Sequence, residues 1–137
     1  MSEELLEFLK YITKIFNKRW EIVKKLRDKY AEGENRCAIL RIIGENSRTV
    51  SLKLVEVEGK VYIALVEGEI PKPTTILTLR EDTFWKIVLG KRSLVECIFS
   101  RTDPVIVEGE FMLRDIHLFA KAEREVRKIL KKMGVYG

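Results

Sequence analysis

Residues 74–109, TTILTLREDTFWKIVLGKRSLVECIFSRTDPVIVEG, read as an alternating strand, two short helices parted by a glycine, and a second strand. Thr75, Leu77 and Leu79 recur with the period of two that marks a strand with one buried face. Asp82 or Thr83 is placed to cap a helix over residues 84–89, which Gly90 closes in the left-handed conformation. Ser93-Leu94-Val95-Glu96 has the spacing of a capping box and opens a helix carrying Leu94, Cys97, Ile98 and Phe99. Pro104 then precedes a β-branched run over residues 105–107 that ends at Glu108-Gly109-Glu110. Phe84, Trp85, Ile87, Val88, Ile98 and Phe99 supply more apolar surface than one thin layer needs. An aromatic-rich core and the wall of an apolar pocket share this one-dimensional pattern, and no reactive side chain sits among these residues.

Upstream, residues 37–43 form an apolar run stopped by Gly44-Glu45-Asn46-Ser47, and residues 49–54 alternate cleanly. Glu58-Gly59 makes a turn to the apolar residues 61–66, so a hairpin with one solvated face is expected. Gly68, Pro71 and Pro73 break the sheet and make a crossing loop. At least four strands therefore precede the first short helix.

The chain is bracketed by two long helical patterns. In residues 2–30, Leu5, Leu9, Ile12, Phe16, Trp20, Val23, Leu26 and Tyr30 follow helical spacing, with Ser2 as N-cap and a near-balanced outer face that includes Glu7, Lys10, Lys14, Lys18, Glu21 and Lys25. One continuous helix is expected there. In residues 112–132, Met112, Ile116, Phe119, Val126, Ile129, Leu130 and Met133 trace a buried side. Arg114, Lys121, Arg124, Lys128, Lys131 and Lys132 gather on one face, interrupted mainly by Glu125. Such a face suits contact with an anionic membrane surface, and equally suits dipole complementarity and solubility at a helix C-terminus.

Composition bounds the function. The 137 residues suffice for one domain with its own core. The net charge of +5 resides in the ends: residues 1–31 carry eight basic and five acidic side chains and residues 112–137 seven and three, against eleven and thirteen between them. No apolar run is long enough to span a bilayer, and the acidic start Met1-Ser2-Glu3-Glu4 is unlike a secretory signal, so a cytoplasmic location is expected. Cys37 and Cys97, sixty residues apart in apolar contexts, suit reduced core thiols. The absence of glutamine, with only three asparagines, matches the thermophile pattern.

Catalytic and metal chemistry find no support. His117 is the only histidine, so a multi-histidine metal site is excluded, and a structural or surface role suits it. There is no Gly-rich phosphate loop, nucleophile elbow or Cys-x-x-Cys pair. No catalytic residue, metal ligand or cofactor is expected. A pI near 9.2 and a basic helix are the electrostatic footprint of a nucleic-acid-binding module, but a stacking or groove-reading motif is lacking. A homodimeric scaffold whose aromatic stripe is covered by a second subunit is a further alternative.

The order of these signals resembles the sterol carrier protein 2 (SCP-2) family over roughly residues 36–130. It is carried by residues 75–79, the acidic turn at Glu81 and Asp82, Thr83-Phe84, Ile87 and Val88, Gly90-Lys91, the helix ending Ile98-Phe99, and residues 105–109. The resemblance implies a single α+β domain, a five-stranded largely antiparallel sheet covered by helices. It also implies an apolar tunnel that takes a fatty acyl, isoprenoid or sterol-like lipid without catalysis. By position Phe84, Gly90, Phe99 and Gly109 match the family pattern. A glycine usual after the aromatic pair is missing from residues 100–104, and the first helix is longer than usual. The lipid-lining residues expected are Trp85, Val88, Ile98, Phe99, Val107, Phe111, Ile116 and Phe119.

Overall fold

The computed structural model describes residues 2–30, 37–45, 47–109 and 113–134, the side chains of residues 2, 3, 30 and 113–115 excepted. Helices α1 (Ser2–Lys18) and α2 (Trp20–Tyr30) lead to strands β1 (Cys37–Ile43), β2 (Arg48–Val57), β3 (Lys60–Glu67) and β4 (Thr75–Arg80). Helices α3 (Glu81–Val88) and α4 (Leu94–Ile98), strand β5 (Ile106–Gly109) and helix α5 (Leu113–Lys132) complete the order. The strands form one sheet in the order β3-β2-β1-β4-β5. Its pairs are antiparallel except β1 with β4, which run parallel.

The turn between β2 and β3 is built by Glu58 and Gly59, with φ of 51° and 79°. Two consecutive positive φ values are what a two-residue hairpin loop matching the strand twist needs. The Gly68–Thr74 connection then crosses the sheet face away from the helices. Ser51 Oγ donates to Gly68 O (2.6 Å) and accepts from Ile70 N (3.0 Å), while Thr74 Oγ1 donates to Cys37 O (2.8 Å). Arg41 clasps the Glu69 carboxylate with two bonds of 2.9 Å, which holds Glu69 below the usual carboxylate pKa. This strap buries Ile39 and Ser51 on the far face.

The expected single N-terminal helix is broken at Arg19. Arg19 N bonds Phe16 O and Ile22 N bonds Arg19 O, both at 2.9 Å, so the chain tightens into three-residue turns there. The Asn17 amide explains the placement: it donates to Ile63 O (3.0 Å) and accepts from Ile63 N (2.7 Å). A side-chain amide thus stands in for a neighbouring strand on the open edge of β3. The end of α1 is pinned to the sheet, and α2 begins at Trp20 just beyond the pin. Lys60 Nζ lies 5.9 Å from the Trp20 ring centroid, joining the start of α2 to the hairpin.

Helix α3 also differs at its start. It begins directly after β4 at Glu81, with Arg80 as N-cap and no side-chain cap, rather than behind Asp82 or Thr83. Its end is as expected: Gly90 (φ 79°) follows the C-cap, with Gly90 N bonded to Ile87 O and Lys91 N to Lys86 O. Ser93 and Glu96 form both bonds of the capping box on α4. Gly109 ends β5 at φ 92°, where a Cβ would lie 2.6 Å from Thr74 O. Both the dihedral and the close approach demand glycine.

Among the described residues, two clusters of buried side chains pack between sheet and helices. One joins Leu5, Ile42, Leu77, Leu79, Phe84, Ile87, Cys97 and Val105; the other joins Ile12, Phe16, Val23, Val61, Ile129 and Leu130. Both cysteines are free and buried, and burial pushes the Cys97 thiol pKa up. Met133, expected on the buried side of α5, is exposed.

Candidate lipid-binding cavity

The strand register sorts the sheet into two faces. Ala38, Leu40 and Ile42 of β1 stand level with Leu52 and Val50 of β2 and with Thr75, Leu77 and Leu79 of β4. This face looks toward the helices. Between them lies a cavity of about 320 Å3, at the lower end of the range for small-molecule sites.

Its walls are almost wholly apolar. Helix α1 contributes Phe8, Leu9, Ile12 and Phe16; α2 contributes Val23 and Leu26; α3 contributes Phe84, Ile87 and Val88; α5 contributes Leu118, Phe119, Ala122 and Val126. The sheet contributes Leu40, Leu52, Leu54, Ile63, Leu77 and Leu79. Polar residues on the lining are few: Thr13, Lys53, Thr74, Thr75 and Glu123. Lys53 alternates onto the opposite sheet face, so it meets the cavity through its backbone. Such a surface can take an apolar chain by burial.

Helix α5 holds the α3–α4 junction against the cavity through one i,i+4 pair. Glu123 Oε1 accepts from Leu94 N (2.9 Å), an otherwise unpaired donor at the N-terminus of α4. Arg127 donates to Ile87 O (3.3 Å) and Arg92 O (3.0 Å), at and just beyond the C-terminus of α3, and lies 3.5 Å from Glu123. Each charge sits at the helix end whose dipole favours it. The Glu123 carboxylate is thereby engaged in structure.

The sequence-derived site residues separate. Val88 and Phe119 line the cavity. Trp85, Ile98 and Val107 pack on the first core cluster behind that wall. Trp85 lies edge-on to Phe8 (5.0 Å between centroids) and Phe84 (5.3 Å). Ile116 is half-buried, and Phe111 lies outside the described residues. Phe99 is corrected: it is 79% exposed at the C-cap of α4 and turns away from the cavity. A five-residue helix presents too little surface to bury Ile98 and Phe99 on one side when Cys97 already occupies the core. On α5, Lys121, Arg124, Lys128, Lys131 and Lys132 are exposed, and the Arg114 side chain lies outside the described residues. His117 is exposed.

Residues 100–104, where the family glycine is missing, fold around Asp103. Ser100 Oγ accepts from Thr102 N and Asp103 N, and the nearly buried Asp103 carboxylate takes Arg80, Lys86 and Arg92, each at 3.1 Å. The Lys86 hydrogen bond holds Asp103 below the usual carboxylate pKa. This four-residue knot was not legible in the sequence, since its members are spread over residues 80–103. The α1 and α2 lining residues were visible as a core stripe, yet nothing in their spacing said that a cavity lay beneath it.

No protein-family model and no curated protein matches the chain. Solved structures do. A conserved hypothetical protein of Thermus thermophilus, described as possibly a sterol carrier protein, superposes with a TM-score of 0.60 at 11% identity, over 87% of this chain and 86% of that one. The UbiJ-SCP2 ubiquinone synthesis protein gives 0.56 at 13% identity, over 91% and 97%. The sterol carrier protein domain 2 of Helicoverpa armigera gives 0.53 at 16% identity, over 87% of each. The chain has the sterol carrier protein 2 fold. The SCP-2-like architecture was legible in the order of strands, short helices and glycines, as these likenesses and the α+β sheet bear out. Among the described residues no helix is long and apolar enough to cross a membrane.

Proposed function

We propose that this protein is a non-catalytic binder, and carrier between surfaces, of an apolar lipid held between the sheet and the helices. The observation that carries the reading is the cavity itself, about 320 Å3 lined by apolar side chains from four helices and the sheet. A concave space of that size with almost wholly apolar walls favours an apolar occupant, because filling it removes apolar surface from water. Fatty acyl and isoprenoid chains match its chemistry, with a sterol-like ligand as the third class. The names of the structurally similar sterol carrier proteins support the same class. Val88 and Phe119 act by burial, and Trp85, Ile98, Val107 and Ile116 support the wall.

The exposed cations of α5, Lys121, Arg124, Lys128, Lys131 and Lys132, together with Arg114, contact an anionic bilayer during transfer. Each adds about 1 kcal/mol near the surface, an attraction that fades with salt. Two free buried thiols suit a reducing, cytoplasmic setting. Nucleic-acid binding and a ligand-free dimeric scaffold leave the cavity without a role.

The test is mass spectrometry of an organic extract of the purified protein, joined to displacement of a fluorescent fatty acid. A co-purifying lipid is expected, with displacement lost in Val88→Asp and Phe119→Asp variants that keep their fold by circular dichroism. No extracted lipid and no displacement by any amphiphile refutes the proposal.

A further inference from the structure

A second depression, about 380 Å3, lies on the surface between α1 and β3, bordered by Lys10, Thr13, Lys14, Asn17, Leu65 and Glu67. It abuts the apolar cavity. Thr13 borders both spaces, and Ile63 on the cavity wall is followed two residues along the same strand face by Leu65 on the groove wall. The Thr13 hydroxyl is turned inward on its own helix, donating to Leu9 O at 2.7 Å, so it presents little polarity to a passing chain. Asn17, bonded to both backbone groups of Ile63, fixes one end of the seam. Among the described residues, Lys10 and Lys14 make no such bond to β3.

Lys10 and Lys14 are one helical turn apart, both exposed, and among the described residues neither makes an ion pair. Like charges at that spacing weaken a helix. Glu67 across the groove offsets one of them, leaving the rim with a net positive charge. An apolar cavity and a groove that share Thr13, with two ammonium groups against one carboxylate on the groove's rim, are together complementary to one shape of ligand. Its tail is apolar and its single head is anionic.

We propose that the α1–β3 seam is the entry portal of the cavity, and that Lys10 and Lys14 hold the anionic head group, carboxylate or phosphate, of a single-chain amphiphile whose tail passes Thr13. This rests on the lipid-binding reading above. The head stays at the surface, where ammonium groups remain hydrated, and the tail takes the interior.

The experiment compares tail-matched probes by calorimetry at low ionic strength: dodecanoate and dodecyl phosphate as the two anionic heads, and dodecan-1-ol as the neutral one. Wild-type protein is expected to favour the anionic probes by about tenfold, as two solvent-exposed charge contacts allow. The preference shrinks as salt is added. Lys10→Ser/Lys14→Ser removes it while dodecan-1-ol affinity stays unchanged. Lys18→Ser/Lys25→Ser, the same change of charge elsewhere on the N-terminal helices, retains it. Dodecanoate bound and dodecyl phosphate excluded assigns a carboxylate head; the converse assigns a phosphate. Equal affinity of wild-type protein for neutral and anionic probes, or equal loss of both in the Lys10/Lys14 variant, overturns the portal and leaves lipid binding intact. If no probe binds, the lipid reading itself falls.

Discussion

Filling the cavity from α5 separates a ligand pocket from an ordinary core by the sign of one measurement. Ala122 lines the cavity one helical turn from both Leu118 and Val126, so the smallest side chain stands mid-stripe where larger ones flank it. Ala122→Leu adds three carbons. At about 0.8 kcal/mol per buried methylene the transfer gain is about 2.4 kcal/mol. Fixing the new side chain costs about 0.5–1 kcal/mol, leaving a net stabilisation of about 1.5 kcal/mol if the space is free. In lipid-stripped protein that raises the melting temperature by roughly 4–8 °C. The same leucine competes with a bound chain for the same space, so affinity for a fluorescent fatty acid falls by roughly fiftyfold, the equivalent of three displaced methylenes. A filled core predicts the opposite sign, since overpacking costs about 1–3 kcal/mol. Calorimetric melting of delipidated wild-type and variant protein decides it. A lowered melting temperature with unchanged ligand affinity refutes the cavity.

Gly68 and Gly109 share a φ of 92°, but only Gly109 has backbone within reach of a Cβ. Gly68→Ala is expected to cost about 1–2 kcal/mol for the dihedral alone, and Gly109→Ala distinctly more, read from urea midpoints; equal costs would contradict the contact with Thr74. Asn17→Ala strands both backbone groups of Ile63 and should cost about 1–3 kcal/mol, with faster hydrogen exchange at the Ile63 amide as the local readout. Because the folded-state pKa of Asp103 is depressed, its stabilisation is present above the ordinary carboxylate pKa and is lost as pH falls through the folded value. Asp103→Asn is therefore less stable than wild type at pH 7, and the gap closes below about pH 4. A gap independent of pH in paired melting curves would show that the carboxylate charge is not what the knot uses.

Much of the fold was legible because local signals are short-ranged. Glu58-Gly59 can hardly be anything but a hairpin turn, Gly90 closes α3 through bonds to residues three and five positions away, and the Ser93 box is complete within four residues. What misled were features whose partners lie far along the chain. The break at Arg19 has no glycine or proline to announce it, since it is set by Asn17 finding Ile63, forty-six residues on. Phe99 looks in sequence like the apolar tip of a helix turned inward; only the seating of Cys97 and the return of the chain to it, Val105 N to Cys97 O at 3.1 Å, leave the ring outside.

The sequence by itself determined the strands, the two short helices with the Gly90 stop and the Ser93 cap, the proline-bearing strap that crosses the sheet before β4, and the apolar face of each long helix. These follow from periodicity, capping and turn chemistry, all of which act within a few residues. Whether those apolar faces meet or stand apart was decided only in the tertiary structure. Volume depends on the distance between elements, and here that distance is set by the pinning of α1 at Asn17 and the seating of α5 through Glu123 and Arg127.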